Sequence, residues 1–440
     1  MTSGQDQLAS RGRSSKLPPV HEAWLPNQHT MYRPRHGKRQ FGALISAGVF
    51  FCVPLLLLIL GVRPEAFENR PLSQFPSLGQ GWRFFTSLSP WAIDYLPFRE
   101  NAIQAEDGIS RSVFGEAPPN DQADESVPVQ GPIPEPSHPD PERDKMRSAG
   151  YPEVLEGKKG WLYLGYDTLG ACLPERPLND VINALGKLRD AVQASGRQFV
   201  LVVAPDKTTA VPQYLPDNYV GKNCSAAVRS EFWRRVVAED GAVDLRPALN
   251  SAAKRQGSPI YSSVDTHWTH SGGLVFTREV AERIEPGVTS RWVTTPDRVL
   301  QEPGDLPPLL HHKQDYPLQT YRLATDGTTV RSRTIDKEFR APLRLTQAPG
   351  SGVVATKVGL IADSFTLYAT PYLAGGFQDI TIVHSDTVGT DPHLVGRTMA
   401  DQNVVVLELV ERSLVAGINP LVDPGNVDVI GQELAKRPIR

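Results

Sequence analysis

The stretch KVGLIADSF (Lys357–Phe365) reads as a short apolar strand that breaks abruptly into a polar loop. A run with no polar face belongs to a strand covered on both sides, the signature of a parallel sheet between helices. The same pattern lies upstream in QFVLVVAPDK (Gln198–Lys207) and recurs in DITIVHSD (Asp379–Asp386) and NVVVLELVERSL (Asn403–Leu414), all read as strands, with GAVDL (Gly241–Leu245) as a shorter one. Between them lie helix-period segments. NDVINALGKLRDAVQASG places Val181, Ile182, Leu185, Leu188 and Val192 on one face, with Gly196 as a C-terminal cap. AAVRSEFWRRVVAED (Ala226–Asp240), SGGLVFTREVAERI (Ser271–Ile284, capped by Ser271) and FTLYATPYLAGG (Phe365–Gly376) read as further helices. This alternation predicts an α/β fold, a parallel sheet flanked by helices. Residues 286–355 interrupt it with a proline-rich and then hairpin-like insertion, YRLATDGTTVRSRT, whose Asp-Gly marks the turn.

Composition is that of a globular protein, with 22% charged residues and a net charge of −3, so no global field draws the chain toward nucleic acid. No zinc-ribbon spacing, P-loop, GxGxxG motif or repeat period is present. Of three cysteines, Cys52 lies in an apolar run, leaving Cys172 and Cys224 as a candidate disulfide if their region lies outside the cytoplasm.

That apolar run, FGALISAGVFFCVPLLLLILGV (Phe41–Val62), carries no charge and matches the ~20 residues that cross a bilayer core as a helix. Its length, its position and the lack of an A-x-A site favour an uncleaved anchor over a signal peptide. Arg33, Arg35, Lys38 and Arg39 crowd its N-terminal flank, which keeps the N-terminus cytoplasmic and everything past about residue 63 outside. The expected organisation is a cytoplasmic tail (1–40), a membrane helix (41–62), a juxtamembrane helical segment (63–114), a proline-rich linker (115–150) and the α/β domain (151–430).

Ligands of such sheets sit at the carboxyl ends of the strands, where APDK begins at Ala204, VDTHW begins at Val264 and ADSF follows Ile361. Ser364, between a strand and a helix, has its hydroxyl exposed and its N–H available to an oxyanion. A serine needs a base, and the base needs an orienting group. Asp265 and His267 supply both, in the order Asp, His, Ser. Taken singly, Ser364 reads as easily as a helix cap, and Asp265, His267 and His270 as metal ligands with a fourth from His311 or His312. Trp268 is either packing or a sugar-stacking platform.

The order of these motifs resembles the alginate O-acetyltransferase AlgJ/AlgX-like family, of SGNH hydrolase-like fold. The matching segments are ENRPLSQFP, YLPFRENAI, EGKKGWLYL, APDKTTAVP, VDTHWTHSGG, GDLPPLL, ADSF and ELVERSL, spanning about residues 65–415. The resemblance implies Asp265, His267 and Ser364 as the catalytic set; no metal or cofactor is expected. It also implies O-acetylation of an extracytoplasmic polysaccharide, with acyl groups supplied by a membrane-bound O-acyltransferase partner. Asp363 and Lys207 are expected to line the site and His270 to stand aside. Ala362 replaces the family's usual Gly, and 115–150 looks like an insertion. An esterase with the same triad, or a non-catalytic glycan-binding subunit of an envelope complex, are the competing functions.

Overall fold

The computed structural model describes residues 38–59, 149–310, 312–335 and 339–439, with Gln28 and Phe84 besides. The expected juxtamembrane segment, nearly all of the tail and linker, and His311 lie outside those residues. Two units separate, one containing the helix Lys38–Ile59 and the other the folded part from 149 onward. That helix overlaps the apolar run and exposes Leu44, Ile45, Val49 and Leu56. Among the described residues no helix is long and apolar enough to cross a membrane.

The second unit is built on a six-stranded sheet of order β4-β3-β10-β8-β9-β7. Its strands are β3 (Gln198–Ala204), β4 (Val243–Asp244), β7 (Leu343–Thr346), β8 (Val358–Ala362), β9 (Asp379–His384) and β10 (Val404–Val410). Five run parallel, as the apolar runs dictate, but β7 pairs antiparallel with β9 at the edge. The all-parallel expectation fails there for a topological reason. Only residues 347–357 separate β7 from β8, without a helix, and a parallel return needs a crossover of about a dozen residues or more.

Side-chain alternation divides the strands between two cores. Val200, Val202, Val404, Val406 and Leu360 face one side with Trp268, Phe276 and Phe365. Leu201, Val203, Val405, Leu407 and Ile361 face the other, beneath the helices Leu178–Ala194, Lys222–Asp240, Pro392–Ala400 and Pro424–Ala435. The last helix carries the domain past the expected limit at 430. Gly196 follows its helix at φ +81°, the left-handed geometry a C-terminal glycine supplies.

Two small antiparallel pairs flank the sheet. β1 (Val154–Glu156) pairs with β2 (Leu162–Leu164), and β5 (Val293–Pro303) with β6 (Asp315–Ala324). The insertion is therefore β-rich, but the Asp326-Gly327 turn closes only a single bridge, Ala324 to Val330. The main partner of β6 precedes it. Two further boundaries differ from the sequence reading. ERSL leaves β10 as the start of a short helix, Glu411–Val415, and FTLYATPYLAGG splits into a 3-10 turn, Ser364–Tyr368, and a helix, Thr370–Gly376. Cys172 and Cys224 are joined as a disulfide, their Cα atoms 5.6 Å apart.

Candidate active site

Ser364 leaves the end of β8 at the start of its 3-10 turn, half-buried and facing outward. Asp363 caps that turn: its carboxylate accepts from Phe365 N at 3.0 Å and from Val410 N at 2.6 Å. Buried and so engaged, Asp363 shapes the turn and does not line the cleft, contrary to the sequence expectation. Beneath it lies Glu408, the one acid in the apolar strand β10. It accepts from Thr366 Oγ1 at 2.8 Å. Burial, then the charge of Asp363, pushes the Glu408 carboxyl well above its ordinary range. Ala362 pairs in register with Glu408 and His384 and has no left-handed φ, so replacing glycine there strains nothing.

The Asp265 segment is not at a strand end, as the sequence reading placed it. It is a loop closed by the isolated bridge Tyr261–Trp268. Its conformation is held from several directions. Lys207 Nζ donates to Ser263 O (3.1 Å) and Asp265 O (2.9 Å) while lying over the rings of Trp161 and Tyr163, each at 5.4 Å. Leu162 N donates to Ser263 O at 2.8 Å, and Tyr261 OH donates to Pro205 O. Lys207 is thus buried behind the loop rather than exposed to substrate, and burial pulls its ammonium down to about 7. From the opposite side Asp305 accepts from Thr266 N at 2.7 Å and from the Thr266 hydroxyl.

These supports bring the two halves together. His267 Nε2 lies 2.8 Å from Ser364 Oγ, and His267 Nδ1 lies 2.8 Å from Asp265 Oδ1. Asp265 also accepts from His267 N at 2.8 Å, which fixes the rotation of the carboxylate. Burial is the largest single influence and opposes charge on both groups, but their mutual hydrogen bond and the neighbouring charges together outweigh it. Asp265 is held below its ordinary value, and His267, with the charge of Asp305 added, above its own. The arrangement can polarise the Ser364 hydroxyl and stabilise the imidazolium that forms when the proton moves.

Trp268 is fully buried, its Nε1 donating to Phe365 O at 2.9 Å and its ring meeting Phe365 edge-on. It is packing, and no face remains for a sugar. His270 turns away and bonds Tyr368 O through Nδ1 at 3.1 Å. Ser271 is not the helix cap. The helix runs His270–Ile284 with Thr269 at its cap position, and the Ser271 hydroxyl reaches Gln256 and Tyr321. Among the described residues, His270 and His312 do not join Asp265 and His267 as a metal-ligand set, and His312 bonds Leu310 O instead. The described residues do bring Asp265, His267 and Asp305 within 4.8 Å of one another. Both ring nitrogens of His267 are already engaged there, by Asp265 and Ser364, so this cluster is arranged for proton movement.

A second buried network underlies the site. Arg412 pairs with Asp206 at 3.2 Å and lies over the Phe365 ring at 5.4 Å, while Glu411 accepts from Asp206 N and Thr209. Sequence reading missed Asp305, Glu408 and Arg412 as individuals. Their signal was charge inside otherwise apolar motifs, GDLPPLL and ELVERSL.

Residues 154–345 match the family model of the SGNH hydrolase-like domain of acetyltransferase AlgX. Over that segment the chain is similar to the AlgJ/AlgX-like family. It is 29% identical over 172 residues to the probable alginate O-acetylase AlgJ of Pseudomonas syringae pv. tomato, covering 37% of this chain and 42% of that protein. The Pseudomonas fluorescens counterpart is 27% identical over 168 residues, with the same coverage. The matches thus span less than half the length of these curated relatives. Among solved structures, the O-acetyltransferase domain of Pseudomonas putida AlgJ aligns with a TM-score of 0.43 and 20% identity, over 63% of this chain and 98% of that one. The AlgX-like segment contains Asp265, His267 and Asp305, whereas Ser364 lies beyond it.

Proposed function

We propose that this protein is an extracytoplasmic O-acyltransferase that acetylates hydroxyls of a polysaccharide, alginate-like in the class of its acceptor, through a Ser-His-Asp triad. The observation that carries the reading is the unbroken chain Ser364 Oγ, His267 Nε2, His267 Nδ1, Asp265 Oδ1, with 2.8 Å at both links. His267 takes the Ser364 proton as Oγ attacks the acyl carbonyl of the donor. The same proton passes to the leaving group as the tetrahedral intermediate collapses to an acyl-serine. A sugar hydroxyl, deprotonated by His267, then attacks the acyl carbon and regenerates the serine. The Ser364 N–H, which has no protein acceptor among the described residues, is the nearest donor for the oxyanion.

The compartment and partners belong to the same proposal. The uncharged run 41–62 anchors the chain with its basic flank inside, and the domain works outside, where a Cys172–Cys224 disulfide persists. A membrane-bound O-acyltransferase partner supplies the acyl group from the cytoplasmic side. The test is turnover of 4-nitrophenyl acetate by the full chain and its Ser364→Ala variant, with mass spectrometry for an acyl group on Ser364. Loss of a triad nucleophile lowers kcat by roughly 10⁶-fold. Unchanged turnover removes Ser364 from the mechanism, and acetate released without transfer to an oligosaccharide acceptor reassigns the activity to an esterase.

A further inference from the structure

The imidazole of His267 faces two carboxylates, not one. Asp265 Oδ1 lies 2.8 Å from Nδ1 and Asp305 Oδ2 lies 3.4 Å from the same nitrogen. Asp305 arrives from the loop after β5, and its position is not incidental. It accepts from both Thr266 N and the Thr266 hydroxyl, and Leu306 N donates to Val264 O, so the two loops are stitched together on either side of it. Gly304 permits this closeness, because a β-carbon there would lie 2.5 Å from Val264 O.

We propose that Asp305 is a positioning residue of the triad, a reserve acceptor that shares the His267 Nδ1–H with Asp265 and stabilises the imidazolium beside it. The inference rests on the triad reading above. Each turnover puts a positive charge on His267, and a second carboxylate at 3.4 Å lowers the energy of that state. It also holds the tautomer that leaves Nε2 free to accept from Ser364. The charged and titratable groups facing His267 are Asp265 on its own loop, Asp305, Asp363 and Tyr368 around the Ser364 turn, and Arg412 from the helix after β10. Arg412 opposes the imidazolium, and the carboxylates favour it.

The experiment is a double-mutant cycle on the full chain with 4-nitrophenyl acetate: Asp265→Ala, Asp305→Asn, and both together, alongside Ser364→Ala and His267→Ala. Asp305→Asn keeps an acceptor for Thr266 N while removing the charge. Loss of an unsupported triad aspartate costs about 10⁴-fold in kcat. Because coupling between contacting groups reaches a factor of about 10², Asp265→Ala is expected to lose only about 10²-fold. The double variant is then expected to lose roughly 10⁴-fold, far beyond the product of the single losses. Asp305→Asn alone is expected to shift the acid limb of kcat/KM to lower pH, since removing a negative neighbour makes His267 easier to deprotonate. A loop clamp without an electrostatic part lowers kcat and leaves that limb in place. Losses that simply multiply, or an unmoved acid limb, overturn the proposal while the triad stands if Ser364→Ala and His267→Ala are both inactive. If those two variants keep turnover, the triad reading falls and this inference with it.

Discussion

Replacing Lys207 with Met separates the stability of this fold from its chemistry. The ammonium is buried, 2% exposed, and is held to about 7 against an ordinary 10.5. Burial is the main cause, opposed in part by Asp305, Asp265 and Asp167. That gap corresponds to roughly 5 kcal/mol at 1.36 kcal/mol per pH unit. The folded state binds the Lys207 proton less tightly than the unfolded chain, so stability rises with pH between about 7 and 10.5. From pH 7 to about 9.5 the gain from this group is about 3 kcal/mol. The buried tyrosines Tyr163, Tyr316 and Tyr372, raised by burial above their ordinary 10, oppose this gain only as pH nears 10, where the unfolded chain begins to lose those protons, and they do so equally in wild type and variant.

Methionine keeps the chain length between the Trp161 and Tyr163 rings but removes the charge. Ser263 O retains the Leu162 N–H, so only Asp265 O is left unpaired, at a cost of about 1–3 kcal/mol. The variant should therefore be no less stable than the wild type at pH 7. It should also lack the pH-dependent gain when urea unfolding is followed by tryptophan fluorescence from pH 7 to about 9.5. Its kcat should nonetheless fall roughly 10–10²-fold, because the carbonyl that seats Asp265 has lost its anchor. A variant with the wild-type pH slope, or with unaltered kcat, would falsify this account of Lys207.

Two other outcomes are expected. His270→Ala should keep turnover of 4-nitrophenyl acetate within about threefold, because its contacts are with Tyr368 O and neighbouring rings rather than with the reacting groups; a loss near that of His267→Ala would restore it to the mechanism. Removing the Cys172–Cys224 bond by a double Ser substitution should lower stability by about 4 kcal/mol, the chain-entropy value for a 52-residue separation. Equal urea midpoints for the variant and wild type would show that the bond does not constrain the unfolded chain.

What could be read from the sequence was what depends on local pattern. The strands β3, β8 and β10 announce themselves because a doubly covered strand has no polar face, and their polar ends mark the reactive edge. Asp265 and His267 were legible as a pair because their two-residue spacing suffices for contact in a loop. Asp305 was not, since nothing in GDLPPLL says that the loop between β5 and β6 folds back onto Thr266. Orientation was equally hidden. Lys207 and Asp363 stand where expected along the chain, yet both point into the protein, one toward backbone carbonyls and the other toward backbone N–H groups. Ser271 follows the chemistry of a cap, but the helix begins one residue earlier and leaves it inside the first turn.

Gly273 carries a consequence for how such a protein diversifies. A β-carbon at that position would lie 2.3 Å from Tyr368 O, so its absence lets the helix after His267 rest against the segment after Ser364. Trp268 to Phe365 and His270 to Tyr368 fasten the same seam. The gap between base and nucleophile is therefore gauged by contacts within a few residues of each and by the Asp305 loop, not by the rest of the chain that links them. Outside the Gly304–Leu306 loop that holds Thr266 and Val264, the intervening β-rich insertion is free to lengthen, shorten or change its surface without altering the 2.8 Å between His267 and Ser364. Most of the insertion's surface and the geometry that joins His267 to Ser364 thus lie on separate stretches of one polypeptide.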